Sequence, residues 1–520
     1  MSTTSSNHYD QLVSYYQTIN HFNHAQAMLG WDAAANMPKG GSDARSNAMA
    51  ELSVHVHRLS TQPQLADWFA NAEQESLTSE QSSSLREMKR QWQQAALLPE
   101  DLVQAQSIAG SKCEHAWRTQ RQENDWSGFE KNWKEVVSLS REEAKIRGEA
   151  LGLTSYDAML DKFEPGTSTA SLDTLFSNVK TWLPELIEKA LDKQAAEPII
   201  LPSGTFSTEQ QKSLGLEVMK LLKFDFDHGR LDQSVHPFCG GVPSDVRITT
   251  RYDESDFVQA LMGIVHETGH ARYEQGLPKA YTGLPVGEAR SMGIHESQSL
   301  FFEMQIGRSK DFITHLSRLS KEAFNAQQNP VFAEANLYQI YTRVNKGFIR
   351  VDADELTYPA HVILRYEIER DLINGVIEHT DVPALWDEKM KASLGLSTQG
   401  NYKNGCMQDI HWTDPEGKKV AHNYKNGCMQ DIHWSGGSFG YFPSYTLGAM
   451  YAAQFMSTMN KTVNVEAAIQ SGDLSPIFQW LSDNIWSQAS LHTTDELVKR
   501  ATGETLNAAH FRKHLEGRYL

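Results

Sequence analysis

The sequence predicts a mainly α protein: one large helical domain with a single small β-sheet. Three observations carry this reading. Apolar residues recur at three- and four-residue steps through most of the chain. Alternating β-branched runs are few. No Pro/Ser/Gly-rich linker divides the 520 residues, so residues 1–520 are read as a single domain with room for two lobes around a cleft. Hydrophobic residues make up 40% of the chain, enough apolar mass for a core and too much for a disordered protein.

Helical patterns come first near 8–30, 77–106 and 127–151, rich in Ala, Leu, Glu, Gln and Lys. Leu172, Leu175, Phe176, Val179, Leu183, Leu186, Ile187 and Ala190 then form one stripe of a long helix, with a kink expected at Pro184. Another helix is expected near 207–222. The clearest strand follows at 246–252, Val-Arg-Ile-Thr-Thr-Arg-Tyr, directly before a helix over 254–276. An edge strand there could hold a substrate backbone by strand addition. Further helices are expected near 330–347, 360–372 and 474–485.

The formal charge of −17 argues against nucleic acid or an anionic membrane as the main partner, since both select a basic face. Four cysteines (Cys113, Cys239, Cys406, Cys428) are too few for a disulfide framework and fit a reducing compartment. The first residues lack the basic and apolar segments of a signal peptide, and no run of 18 apolar residues occurs. A cytoplasmic protein is expected.

Residues 264–270 read Ile-Val-His-Glu-Thr-Gly-His. His266 and His270, at i and i+4 of a helix, share one face with Cβ atoms about 5–6 Å apart. They can form two ligands of a tetrahedral metal site. Glu267 can hold a water at that metal and take its proton. A catalytic zinc takes three protein ligands and keeps one position open. The residues after His270, Ala-Arg-Tyr-Glu-Gln-Gly, contain no third histidine, so the third ligand must come from another helix. Gly276-Leu277-Pro278 ends the first helix, and Gly293-Ile294-His295-Glu296-Ser297-Gln298 opens a second. Glu296 is the leading candidate, with Glu288, Glu303 and His295 as rivals.

Several further motifs extend the pattern. Gly30-Trp31-Asp32 with Met37-Pro38 lies near the N-terminus, and His228-Gly229-Arg230-Leu231-Asp232 and His236-Pro237-Phe238 precede Asp245-Val246-Arg247-Ile248-Thr249. His295-Glu296-Ser297-Gln298, Ile349-Arg350-Val351-Asp352-Ala353-Asp354 and 427–434, Gly-Cys-Met-Gln-Asp-Ile-His-Trp, follow the HETGH segment. In this order they resemble the carboxypeptidase Taq family of metallocarboxypeptidases over nearly the whole chain. The resemblance implies a mostly helical fold with a deep groove, a homodimer, and removal of C-terminal residues from peptides. It also implies His266, His270 and Glu296 as metal ligands and Glu267 as the catalytic carboxylate. Zinc is the expected metal, with cobalt as the alternative, because His/His/Glu sites accept several divalent ions.

A carboxypeptidase must read a free carboxylate, which the net charge of this chain repels. Arginine suits the task because its fork binds carboxylate in two places. Arg350 is the first candidate, against a structural ion pair with Asp352 or Asp354. Arg247 is the second, against a pair with Asp245. His433 and Tyr441 are candidate donors to the oxyanion, although Tyr441 could equally serve packing. Gln430 belongs to the same motif and is counted with the substrate-binding residues.

One segment departs from the family pattern. Asn-Tyr-Lys-Asn-Gly-Cys-Met-Gln-Asp-Ile-His-Trp occurs at 401–412 and again at 423–434. The second copy runs into Ser435-Gly436-Gly437-Ser438-Phe439-Gly440-Tyr441, as in the family. The first runs into a polar, turn-rich stretch. Residues 401–422 are therefore expected as a duplicated, exposed surface insertion, with His433 rather than His411 near the metal. Two other classes compete with the carboxypeptidase reading. An aminopeptidase of this general type would carry Gly-x-Met-Glu-Asn for the free amine, whereas Gly448-Ala449-Met450-Tyr451 lacks the acid. An endopeptidase remains in that class. A non-catalytic helical scaffold would not need all four of His266, Glu267, His270 and Glu296.

Overall fold

Helix starts in this chain are set by capping side chains. Asn7, Thr154, Ser168, Ser207, Ser291 and Ser309 each accept a backbone N–H at the start of a helix. Each satisfies a donor that the first turn leaves open. Helices Trp126–Leu151 and Val382–Leu394 stop at Gly152 and Gly395, whose φ values of 68° and 71° suit glycine. The protein is described from a computed structural model, which covers residues 7–123, 125–234, 237–398 and 432–520. Among these residues there are 21 α-helices and one three-stranded sheet, a mainly α fold as the periodicity predicts.

Local differences have local causes. The segment 77–106 is two helices, Ser79–Ala96 and Glu100–Glu123, broken before Pro99. Of 330–347 only Glu334–Tyr341 is α-helical, preceded by a 3-10 turn at Pro330–Phe332 that Asn329 caps. Helix Thr169–Gln194 runs through Pro184 and buries Leu172, Phe176, Val179, Leu183, Leu186, Ile187 and Ala190, the expected stripe less Leu175.

The chain forms two compact units, each assembled from three separate stretches. The first takes residues 1–96, 199–341 and 448–510, the second 97–198, 342–447 and 511–520. Interleaved stretches explain why no linker marks a boundary.

In the first unit the sheet holds β1 (Gly229–Gln233), β2 (Cys239–Val242) and β3 (Asp245–Thr250) in the order β1-β3-β2. β3 runs parallel to β1 and antiparallel to β2. The strand read at 246–252 is thus central, and both of its edges are already paired. It cannot accept a substrate strand as an edge would, which corrects that expectation. Its work is support. Val246 and Ile248 pack with Leu231, Met219 and Phe224 against Ile264 and Ala271 of helix Val258–Gly276. Helix His8–Ala35 is clamped to the same sheet through Trp31, with the Arg247 and Arg230 guanidiniums 4.5 and 5.5 Å from its ring.

In the second unit, Trp133, Trp386 and Trp434 are fully buried. The Trp434 indole N–H donates to Glu369, and the Trp434 carbonyl accepts from Trp133. Glu369 also accepts from the Tyr156 hydroxyl at 2.5 Å and from the Gly440 amide at 3.3 Å. These bonds anchor the segment from Trp434 to Gly440 in the core of that unit. No helix among the described residues is long and apolar enough to cross a membrane.

Candidate active site

Helix Val258–Gly276 carries His266, Glu267 and His270 near its middle. Helix Met292–Leu300, capped by Ser291, carries Glu296. Gly269 is what lets the two helices meet: a Cβ there would lie 2.5 Å from the Gln298 carbonyl oxygen and 2.6 Å from Ser299 Cα. Gly448 does the same on another side, where a Cβ would lie 2.7 Å from Glu296 Cγ. Since Gln298 and Ser299 meet Gly269 with backbone, they cannot move aside as a side chain would. Gly269→Ala should therefore destabilise the protein by about 1–3 kcal/mol and lower its metal affinity. Thermal unfolding and chelator competition on the variant check both.

The fold brings His266, His270 and Glu296 together, each offering a ligand atom within 4.8 Å of the others. His270 Nε2 lies 3.4 Å from Glu296 Oε2. A tetrahedral ion with bonds of about 2.0–2.1 Å needs ligand atoms about 3.3 Å apart, so small movements complete the set. Glu267, 7% exposed, has a buried Oε2 with no hydrogen-bond partner among the described residues. Such an atom is costly unless something polar meets it.

The electrostatics favour a cation. Burial works against a charged His266, yet its hydrogen bond to Glu303 and the charges of Glu296, Glu303 and Glu267 raise its pKa to about 10. Burial lifts Glu267 to about 7, helped by Glu296 and Glu303 and opposed by His266. Burial pulls His270 down to about 4, against its bond to Glu296. Glu296 is held below the usual carboxylate range despite burial, by His270 and His266. Three carboxylates around two imidazoles thus make a pocket that stabilises positive charge. The donor set, geometry and charge all fit a divalent ion.

All three rivals for the third ligand are engaged by other groups. Glu303 Oε2 lies 2.8 Å from His266 Nδ1, and His295 Nδ1 lies 2.7 Å from His270 Nδ1. Glu288 accepts from Gln91. Arg247 makes a two-pronged pair with Asp245, at 2.9 and 2.6 Å, and stacks on Trp31.

In the second unit, Arg350 is buried on a 3-10 turn, Arg350–Asp352. Its Nη1 donates to the Tyr358 hydroxyl at 3.0 Å, and its guanidinium lies 4.7 Å from the Tyr445 ring and 5.5 Å from Phe442. Asp354, one of the two ion-pair partners weighed for it beside Asp352, accepts from the amides of Asn345, Leu356 and Thr357 and from the Thr357 hydroxyl. His433 stacks on Tyr441 with centroids 5.0 Å apart, and its Nε2 lies 3.5 Å from the Tyr445 hydroxyl. Gln430, His411 and residues 401–422 lie outside the described residues, as does the choice between the two copies. Sequence reasoning missed Tyr358, Arg308 and Glu274. Only Glu274 left a signal, standing four residues past His270 on the same helix face.

A helical scaffold that sets two histidines one turn apart against a carboxylate on a second helix, with a buried glutamate beside them, is the arrangement of a metallopeptidase. Comparison with known proteins narrows the class. The family model described as Carboxypeptidase Taq (M32) metallopeptidase matches residues 11–416 and 419–519. Carboxypeptidase 1 of Bacillus subtilis (strain 168) is 34% identical, with 96% of each chain covered. Thermostable carboxypeptidase 1 of Thermus thermophilus is 33% identical, with 98% of each covered. The solved structure of Trypanosoma cruzi metallocarboxypeptidase 1 superposes with a TM-score of 0.92 at 45% identity, covering 98% of this chain and 99% of that one. The chain belongs to the carboxypeptidase Taq family and is a metal-dependent carboxypeptidase.

Proposed function

We propose that His266, His270 and Glu296 hold one divalent ion, zinc in the first instance, and that Glu267 is the general base that removes C-terminal residues from peptides. The observation that carries this reading is the buried, unpartnered Glu267 Oε2 beside three converging ligands. A His/His/Glu set suits zinc and also accepts cobalt. When bound, such an ion lowers the pKa of water at its open position and polarises the peptide carbonyl. Glu267 takes the proton of the attacking water and passes it to the leaving amine, one carboxylate serving as base and then as acid. Arg350 reads the terminal carboxylate, its fork preset by Tyr358 and Tyr445. Arg247 is the weaker candidate for that task, because Asp245 already engages its fork. His433, from the second copy of the repeat, and Tyr441 are proposed to meet the oxyanion, with Gln430 contacting substrate. A cytoplasmic homodimer completes the reading. It is supported by the low cysteine content and the family resemblance, and sedimentation of the purified protein checks the dimer.

Two blocked peptides test the specificity. A peptide acetylated at its N-terminus should be shortened from the C-terminus, whereas its C-terminal amide should be a poor substrate. Chelator should abolish the mass ladder, and zinc or cobalt should restore it. Equal cleavage of both peptides, or cleavage that survives metal removal, would overturn the proposal.

A further inference from the structure

Each histidine of the metal site uses one ring nitrogen toward the site and has the other held from behind. His266 Nδ1 lies 2.8 Å from Glu303 Oε2, and Glu303 Oε1 accepts from Arg308 Nη2 at 2.5 Å. Arg308 is itself fixed by donating to the Tyr341 carbonyl at 2.8 Å. Glu303 stands in a π-helical segment, Phe301–Gly307, that continues the Glu296 helix. A Cβ on its last residue, Gly307, would lie 3.1 Å from Val265 and 3.2 Å from Met262, so the segment packs closely on the HETGH helix. His270 is held differently. Its Nδ1 lies 2.7 Å from His295 Nδ1, and His295 Nε2 lies 2.8 Å from Glu274 Oε1.

We propose that Glu303 with Arg308, and His295 with Glu274, are two unlike positioning pairs that fix His266 and His270 in the tautomer presenting Nε2 to the metal. This rests on the metal site proposed above. The proton count supports it. For His270 to offer a lone pair at Nε2, its proton must sit on Nδ1. His295 Nδ1 then accepts it, and the proton of His295 sits on Nε2, where Glu274 accepts. Every contact has one donor and one acceptor. Two N–H groups facing each other at 2.7 Å would repel, which fixes the direction of both bonds. His266 reaches the same tautomer in one step, because a carboxylate can only accept. The charge standing behind the two histidines differs as well. His266 has an anion directly behind it, neutralised by Arg308, while His270 has its anion one imidazole further away.

Competition with a chelator, run on the purified full-length chain with zinc, reads the affinity, and the absorption of the cobalt-loaded protein reads the ligand geometry. Thermal unfolding checks that each variant is folded. Glu303→Gln should lose about 10–100-fold in zinc affinity, since its amide N–H₂ would face Arg308. Adding Arg308→Met should recover part of that loss. His295→Phe, which removes the acceptor, should lose a similar amount and alter the cobalt spectrum. His295→Gln, whose amide can accept from His270 and donate to Glu274, should recover most of it. Glu274→Gln should cost least, because its carbonyl still accepts. Folded Glu303→Gln and His295→Phe proteins with the parent affinity and spectrum would overturn the inference, and so would His295→Gln falling as far as His295→Phe. His266→Ala separates the two levels of the argument. If removing that ligand left zinc affinity unchanged, the metal site itself would be misplaced; if affinity collapsed there but not in Glu303→Gln and His295→Phe, only the positioning role would fail.

Discussion

Replacing Glu267 with Gln is expected to leave the metal bound and to lower kcat by roughly 10²–10⁴-fold, the usual contribution of a positioned general base. The side chain is 7% exposed and lies beside the ligands, and its Oε2 has no hydrogen-bond partner among the described residues. Glutamine keeps the shape and gives up the proton acceptor. The ligand atoms of His266, His270 and Glu296 are untouched, so zinc content by metal analysis should match the parent. Stability should hold or rise. A buried carboxylate kept for chemistry carries a desolvation cost that a neutral amide relieves, and a Tm at or above the parent value would show it. Near-normal turnover in Glu267→Gln would end the proposed mechanism.

Arg350→Ala is expected to lower kcat/KM on free-acid peptides by at least about 2 kcal/mol, roughly 30-fold, which is the scale of a broken buried charge-assisted pair. Peptides amidated at the C-terminus should be poor substrates for both forms, so the ratio between free-acid and amide peptides should shrink in the variant. Arg350→Lys should fall in between, since a point charge survives while the planar fork and its stacking on Tyr445 do not. An equal loss on both peptide types would return Arg350 to a purely structural role.

The metal helix was legible because its signal is local. His266 and His270 are one turn apart, and nothing beyond helix formation is needed to put them on one face. The second helix was legible after the break at Gly276-Leu277-Pro278, and the structure adds the Ser291 cap at its start. The third ligand was named as Glu296 only through the family resemblance. Glu296 and Glu303 are seven residues apart, so on a continuing helix they point to nearly the same side. Spacing alone left them rivals. Packing separates them: Glu303 is engaged by Arg308 and His266 Nδ1, while Glu296 faces His270 Nε2. The strand at 246–252 shows the same limit. Its alternation marked a strand, but alternation does not name neighbours, and β1 and β2 close over both edges. Glycines at 269 and 448 gave no sign of their task, because close approach is a property of two helices rather than of either one.

The sequence by itself determined the mainly α class, the approximate place of several of the longer helices, the HETGH face and the metallocarboxypeptidase family. These depend on periodicity, caps and motifs that act within a few residues of each other. The tertiary structure alone decided which carboxylates stand behind the histidines, that Arg247 is tied to Asp245 and Trp31, and that Arg350 lies among aromatic rings. The reason is physical. A ligand set is defined at a point in space, and the side chains that reach this one come from helices and a π-turn whose mutual approach depends on packing rather than on local backbone preference.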